Sequence, residues 1–336
     1  MQSRQSVVEV VRGVVVESRH RVHVAVVDAS GALRASSGDP ELVTFVRSAA
    51  KPFQAIPLVE DGAEVRFGLS AQELALCCGS HAGEPMHVRT AESILRKAGL
   101  DADALACGPH PPFHGATRRE LAERGLEPGR LHNNCSGKHA GMMTLARAHG
   151  WDPRGYERLG HPVQERILGE LTRWVDLPAE AIALGVDGCG VVCFAMPLCN
   201  LALGYARLAA AARQGEGAGS QVVAAMTAFP EMVAGRGRIC TDLMRQTEGR
   251  IFAKVGAEGV YTLGIPGAEL GIALKVEDGA SRAVAPAVLG VLRKLDLISE
   301  DDFGALLAYG IPELTNSRGE VTGQLRAQID LGVGDA

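Results

Sequence analysis

Segments that are rich in valine, or in which apolar and polar positions alternate, lie near both ends of the chain. Near the amino end these segments predict strands at 7–17, at 22–28 and, after a turn at 28–31, at 33–36. Toward the carboxyl end they predict strands at 250–255, 259–263 and 270–276. Both ends of the chain are therefore expected to contribute strands to a sheet.

The middle of the chain is predicted to be mostly helical. Ser70 and Glu73 fit a capping box, in which a hydroxyl and a carboxylate three residues apart bond each other's backbone N–H groups, and Thr117 and Glu120 fit a second one. Helices are expected to stop at four glycines, which are Gly99, Gly125, Gly150 and Gly249. Two more helices are predicted after the last strand, at 281–295 and 299–309.

Strands at both ends with helices between them predict an α+β fold. The simplest packing is one antiparallel sheet built from both chain ends, with helical layers against it. We interpret residues 1–336 as a single unit in which a helical region, about 70–249, is inserted between the amino- and carboxyl-terminal strands. The uncharged stretch 188–206 is long enough to span a bilayer, but its glycine, proline and asparagine favour a strand end, a turn and a core helix.

Composition narrows the class of protein. A net charge of −5 gives no basic surface for nucleic acid or an anionic membrane. The first six residues lack the basic-then-apolar layout of a signal peptide, so we expect a cytoplasmic protein. Eight cysteines in 336 residues do not make a disulfide scaffold, and most are expected to be reduced core residues, metal ligands or nucleophiles.

Lysine is scarce, at six of 34 basic residues, and three of the six lie among small residues, glycines and hydroxyls: Lys51, Lys138 and Lys254. Ser48 and Lys51 are three residues apart, which on a helix places them on one face, where a neutral lysine can take the serine proton. A capping serine with a solvated lysine is the alternative. Lys254 ends an apolar strand and either faces a cleft or sets the strand register as an edge charge.

Two loops carry further polar groups. Ser80 lies between glycines in a segment that leads to a proline-started helix, which suits either a ligand-binding loop or an ordinary helix start. Residues 132–142 form the densest polar cluster of the chain and precede an apolar helix. A plain loop rarely needs so many donors and acceptors, so this cluster favours a functional site.

A zinc site is one interpretation of the cysteines in these segments. Cys135 lies in the polar cluster, and Cys189 lies in the glycine-rich segment 185–190. Two thiolates are frequent zinc ligands, and His139, Lys138, Asp187 or water would complete a set of four. Two buried free thiols are the alternative.

Three of these segments, in chain order, resemble the motifs of serine β-lactamases and penicillin-binding proteins. Those motifs are Ser-x-x-Lys, a serine-containing loop and Lys-x-Gly on a strand, and they correspond here to Ser48 with Lys51, to Ser80 and to Lys254. The match is partial, because the second loop lacks the usual asparagine and residue 255 is valine where threonine or serine is usual.

Over residues 12 to about 276 the chain resembles the rhizobial-type (class 3) L-asparaginases, often called the asparaginase II family. The matching segments are Arg12-Gly13, Val16-Glu17-Ser18, Arg47-Ser48-Ala49-Ala50-Lys51-Pro52, Cys78-Gly79-Ser80-His81, Asn133-Asn134-Cys135-Ser136-Gly137-Lys138-His139, Gly185-Val186-Asp187-Gly188-Cys189-Gly190 and Lys254-Val255-Gly256-Ala257-Glu258-Gly259. The resemblance implies a β-lactamase-like fold, a homodimer, and hydrolysis of L-asparagine to L-aspartate and ammonia.

The resemblance also implies the composition of the site. It implies two Ser/Lys pairs and a zinc ion with an unusual lysine ligand, which must be deprotonated to bind. The pairs are Ser48 with Lys51 and Ser80 with Lys254, and the zinc ligands are Cys135, Lys138 and Cys189.

On this hypothesis Ser48 is the nucleophile, Lys51 is its base, and an acyl-enzyme forms. Ser80 and Lys254 shuttle protons to the leaving ammonia and help to activate water. The residues expected to orient the substrate or support the metal are Arg47, His139 and Asp187. Two other classes of protein stay open: a β-lactamase-like or other amide hydrolase, such as a glutaminase, and a non-catalytic zinc or amino-acid binding protein.

Overall fold

A computed structural model describes residues 4–333 of the chain. The strands within this range are β1 (Ser6–Arg12), β2 (Val15–Asp28), β3 (Leu33–Ser37), β4 (Val43–Phe45), β5 (Ala183–Val186), β6 (Val192–Pro197), β7 (Phe252–Val255), β8 (Val260–Ile265), β9 (Leu270–Val276), β10 (Glu313–Thr315), β11 (Val321–Gln328) and β12 (Gly332–Val333). The α-helices are α1 (Lys51–Glu60), α2 (Ala63–Phe67), α3 (Ala71–Cys77), α4 (Pro85–Lys97), α5 (Gly115–Glu123), α6 (Ser136–His149), α7 (Pro162–Val175), α8 (Leu198–Gln214), α9 (Gly217–Ala228), α10 (Pro230–Val233), α11 (Ile239–Gln246), α12 (Val284–Lys294), α13 (Glu300–Ala305) and α14 (Leu307–Gly310).

Nine strands form the main sheet, and every pairing in it is antiparallel. The order β10-β11-β1-β2-β9-β8-β7 runs across the sheet, while β3 pairs with the second half of β2 and with β12. Strands β1 to β3 come from the amino end of the chain, and β7 to β12 come from the carboxyl end. The predicted α+β fold, with one antiparallel sheet built from both chain ends, is therefore confirmed.

Helices cover the main sheet. Helix α8 packs on β2, β8 and β9, and its approach to β9 is so close that a Cβ atom at Gly271 would overlap the backbone of Ala202. Helix α12 packs on β1, β8 and β11. Every residue of β8 is buried, as expected for a strand with helices on both faces of its sheet.

A second, three-stranded sheet of order β4-β6-β5 lies beside the helices. Two of its strands, β5 and β6, fall inside the region 70–249 that the sequence indicates as helical. The uncharged stretch 188–206 forms a turn, β6 and the first half of α8. No helix within residues 4–333 is long and apolar enough to cross a membrane.

Two of the predicted local features are wrong. The strand predicted at 7–17 is interrupted by a turn at Gly13 and Val14, where Gly13 has φ of 56°. Because valines lie on both sides of this turn, the sequence pattern does not indicate it. Helix α5 begins at Gly115 and is capped by His114, so Thr117 is not its cap. The capping box of Ser70 and Glu73 is confirmed.

Close backbone contacts hold the candidate site residues together. Helix α6 begins directly against the end of α3, since a Cβ atom at Gly137 would lie 2.5 Å from the carbonyl oxygen of Leu76. The segment after α3 is equally tight, because a Cβ atom at Gly79 would lie 2.5 Å from the carbonyl oxygen of Met232. Glycine is therefore required at both positions to bring the Ser80 loop beside the start of α6.

Candidate active site

Ser80 lies between two buried lysines that come from opposite parts of the chain. Lys51, the first residue of α1, places Nζ 2.9 Å from Ser80 Oγ. Lys254, in β7, places its own Nζ 2.9 Å from the same oxygen. A hydroxyl oxygen accepts up to two hydrogen bonds and donates one, so Ser80 can pass a proton between the two amines.

Both lysines are fully inside the protein. Lys51 is 1% exposed and also donates to the carbonyl oxygens of Gly79 and Asn134, while Lys254 is 0% exposed and donates to the carbonyl oxygen of Val255. Burial lowers the pKa of Lys51. Burial, and then the positive charge of Lys51, lower the pKa of Lys254 to about 7. A neutral amine is therefore available beside Ser80 near neutral pH.

Ser48 is on the wall of the same cavity as Ser80. It is the second residue of the 3₁₀ helix Arg47–Ala50, which leads directly into α1. Among residues 4–333 its hydroxyl makes no hydrogen bond to Lys51, whose Nζ reaches instead to the Ser80 loop. The structure thus joins Ser80 to both lysines by hydrogen bonds. Ser48 lies on the wall of the cavity that Ser80 also lines.

Arg47 and Asp187 form an ion pair at the edge of this group. The guanidinium Nε and one terminal nitrogen of Arg47 lie 2.9 Å and 2.7 Å from Asp187 Oδ1. Burial opposes ionisation of Asp187, but the charges of Lys138 and Arg47 hold the pKa of its carboxyl below the ordinary value. Arg47 has φ of 51°, a left-handed conformation that costs energy in a residue with a side chain, and the ion pair helps to hold it.

Cys135, Lys138 and Cys189 converge next to Lys51. Lys138 Nζ donates to Cys189 Sγ at 3.1 Å. The neighbouring Cys189, together with the charges of Lys51 and Lys138, lowers the pKa of Cys135 well below that of a free thiol. Burial opposes the charge on Lys138, but the two cysteines raise its pKa above the ordinary value.

This donor set fits a zinc ion. Two thiolates and an amine are nitrogen and sulfur ligands of the kind that zinc prefers, and a bound cation would replace the protons that the three groups now share. No group of three or more His, Cys, Asp or Glu side chains is arranged to hold a metal in the part of the chain that the structure describes. A metal site here would include the lysine as its third protein ligand.

His139 is buried in α6, one residue after Lys138. Its Nδ1 bonds the hydroxyl of Tyr156 at 2.5 Å, and its Nε2 is buried without a hydrogen-bond partner among residues 4–333. Burial, and then the charges of Lys138 and Lys51, hold the pKa of His139 well below its ordinary value, so the ring is neutral. An unpaired buried nitrogen beside a site is a candidate contact for a bound molecule.

The cavity beside the two serines has a volume of about 450 Å³. Its wall includes residues that sequence reasoning missed, and those with polar, charged or aromatic side chains are Phe113, Asn134, Arg238, Glu258, Ser281 and Tyr309. Asn134 and Glu258 lie in segments that carry the family resemblance, so that resemblance could have identified them as candidate site residues. Phe113 and Arg238 lie outside those segments, and no local pattern marks them.

A serine hydrogen-bonded to two buried lysines at the wall of a cavity has the groups that nucleophilic catalysis requires. Residues 8–327 match the family described as L-asparaginase II, and the chain belongs to that family. The match covers nearly the whole of the chain.

Solved structures show weaker similarities. One is the structure of Mglu in its glutamate form, with 17% sequence identity and a TM-score of 0.46. The alignment covers 83% of this chain and 62% of the Mglu chain, so this chain spans less than two thirds of the length of Mglu. Another is a β-lactamase from Mycobacterium bovis, with 16% identity and a TM-score of 0.44, covering 82% and 95% of the two chains. A comparison with curated protein sequences gave no significant match.

The depressed pKa of Lys254 predicts how the rate depends on pH. If the neutral amine is needed, kcat/KM rises as the pH increases through about 7 and then levels off, because the folded protein releases that proton near pH 7. The measurement is a kcat/KM profile from pH 4 to 10 on metal-saturated protein. The exposed Lys294→Gln variant should keep this profile, whereas Lys254→Gln should lose it.

A different dependence of kcat/KM on pH would contradict this prediction. A rate that climbs through about pH 4 and then stays flat would indicate a carboxylate as the base. In that case the assignment of a lysine base would be wrong.

Proposed function

We propose that the protein hydrolyses L-asparagine to L-aspartate and ammonia. The observation that carries the proposal is the position of Ser80 Oγ, 2.9 Å from two buried lysine amines, beside a cavity that Ser48 also lines. Membership of the L-asparaginase II family supports a carboxamide as the substrate.

In this mechanism Ser48 Oγ forms a bond to the side-chain amide carbon. The proton of Ser48 passes to Lys51, and the tetrahedral intermediate then loses its C–N bond as the nitrogen takes up a proton and leaves as ammonia. Ser80, hydrogen-bonded to both amines, carries protons between Lys51 and Lys254. Water next attacks the acyl-enzyme, its proton returns to Ser48, and L-aspartate is released.

The other predicted site residues have supporting roles in this proposal. Arg47 and Asp187, joined by their ion pair, orient the substrate or the metal site at the edge of the lysine group. His139 offers its unpaired Nε2 to the bound substrate or to the groups around the metal. Each of these residues lies in a segment of the family resemblance, which supports a shared role.

We further propose that Cys135, Lys138 and Cys189 hold a zinc ion. When bound, zinc supplies a fixed positive charge that favours binding of an anionic or carbonyl group and keeps neighbouring amines neutral. The hydrogen bond from Lys138 Nζ to Cys189 Sγ, and the lowering of the Cys135 pKa by Cys189 and by the charges of Lys51 and Lys138, support this set of ligands.

The homodimer and the cytoplasmic location stay predictions. The family resemblance supports the first of these.

Replacing the proposed nucleophile gives the first test. Ser48→Ala should lower turnover of L-asparagine by about a thousandfold or more and leave the fold intact, because loss of a nucleophile removes the covalent route. Ser317→Ala, which changes an exposed serine in a surface turn, is the matched control and should behave like the parent. Turnover by Ser48→Ala within about tenfold of the parent would exclude Ser48 as the nucleophile.

The same assay separates the other functional classes. Ammonia release is measured from L-asparagine and L-glutamine, and hydrolysis is measured with a chromogenic β-lactam. Preference for glutamine would indicate a glutaminase, and turnover of the β-lactam would indicate a β-lactamase-like enzyme. No reaction with any of the three would contradict an asparaginase and favour a binding protein.

Metal analysis tests the zinc proposal independently of activity. Protein purified without chelator should contain about one zinc per chain, since two thiolates and an amine leave one position for water. The double variant Cys135→Ala/Cys189→Ala should lose the metal, while Cys199→Ala, at a half-buried cysteine on α8, should retain it. Unchanged metal content in the double variant, or no transition metal in the parent, would refute the site.

A further inference from the structure

The cavity that Ser48 and Ser80 line carries one positive and one negative side chain. Among the residues that form its wall in the described part of the chain, only Arg238 and Glu258 are charged. The remaining wall is made of small, apolar and uncharged polar groups, including Phe113. A cavity with one charge of each sign suits a ligand that carries both signs.

Arg238 is held in place by its loop. The residue before it, Gly237, has φ of 65°, and the backbone N–H of Arg236 donates to Glu84 Oε1 at 3.0 Å. The Arg238 guanidinium lies over the ring of Phe113, 5.4 Å from its centroid, and forms no ion pair with any carboxylate within residues 4–333. Its five N–H donors therefore remain free for a carboxylate, which a guanidinium binds in a two-pronged geometry.

Glu258 is presented by a strained turn between β7 and β8. It has φ of 58°, a left-handed conformation, and Lys275 fixes the turn by donating to its backbone carbonyl at 2.6 Å. Gly279 leaves room for the carboxylate, since a Cβ atom there would lie 2.8 Å from Glu258 Oε2. The side chain forms no ion pair with a cation in the described range, so it is available to an ammonium group. Strained residues of this kind cluster at binding sites.

We propose that Arg238 binds the α-carboxylate and Glu258 the α-ammonium group of the substrate. The inference rests on the proposed amidase function and adds the two residues that hold the charged backbone groups of its substrate. The two charged groups then anchor the backbone end of the substrate, and the side-chain amide is left to face Ser48 and Ser80. An amide that lacks either charged group loses one anchor.

Three amides test the two anchors separately. L-Asparagine carries both charged groups, succinamate lacks the amine, and β-alaninamide lacks the carboxylate. Arg238→Gln should lower kcat/KM about 10- to 100-fold for asparagine and succinamate and leave β-alaninamide unchanged, as expected for loss of one charged hydrogen-bonding group. Glu258→Gln should lower it similarly for asparagine and β-alaninamide and leave succinamate unchanged.

Matched controls separate binding from folding. Arg236→Gln changes an exposed arginine two residues away that does not line the cavity, and Glu269→Gln changes a glutamate with the same left-handed backbone that pairs with Arg213. Both should behave like the parent with all three amides. Thermal unfolding of each variant checks that the fold is retained.

The outcomes distinguish this inference from the proposed function. If the parent hydrolyses asparagine but Arg238→Gln and Glu258→Gln affect all three amides equally, or none, the two anchors are refuted and the amidase function stands. If the parent releases no ammonia from asparagine, the proposed function fails and the assignment of the anchors falls with it.

Discussion

Three lysine side chains buried in one polar cluster set the conditions for the rest of the site. Lys51, Lys138 and Lys254 are 1%, 4% and 0% exposed. Removing an ammonium ion from water costs several kcal/mol even after relaxation, and three neighbouring like charges repel one another. The protein meets this constraint in two ways. Negatively charged groups lie next to Lys138, whereas the pKa values of Lys51 and Lys254 are lowered.

The division of roles among the lysines follows from their neighbours. Lys138 is next to the Cys135–Cys189 pair and Asp187, whose negative charge keeps it protonated until a cation replaces its proton. Among residues 4–333, Lys254 forms no ion pair with a carboxylate, and burial and the charge of Lys51 lower its pKa to about 7. The lysine proposed to bind the metal and the lysine proposed to accept a proton can thus lie in one cluster, because their electrostatic surroundings differ.

Much of this arrangement could be predicted from the sequence. The scarcity of lysine and the density of polar groups around Lys138 pointed to segments that lie together in the structure, and strands at both chain ends indicated the sheet. The hydrogen bonds of Lys51 could not be predicted, because its flexible four-carbon stem lets Nζ reach Ser80 as well as Ser48.

Other features depend on tertiary contacts alone. Strands β10 to β12 are largely exposed, and β10 and β12 are only three and two residues long, so no apolar run marks these strands in the sequence. Arg238 is one of many arginines, and only the packing of its loop beside β7 and α12 places it in the cavity. Side chains brought together from distant segments leave no spacing pattern for a sequence to reveal.

The most direct test of this account is to titrate the lysines themselves. The chain has only six, so protein labelled with ¹³C at lysine Cε should give a resolvable set of signals in an NMR titration, and Lys254→Gln identifies one of them. The account predicts that the Lys254 signal shifts with a midpoint near pH 7. If all six signals instead titrated together near pH 10.4, the buried lysines would be fully charged at neutral pH, and a lysine base would be contradicted.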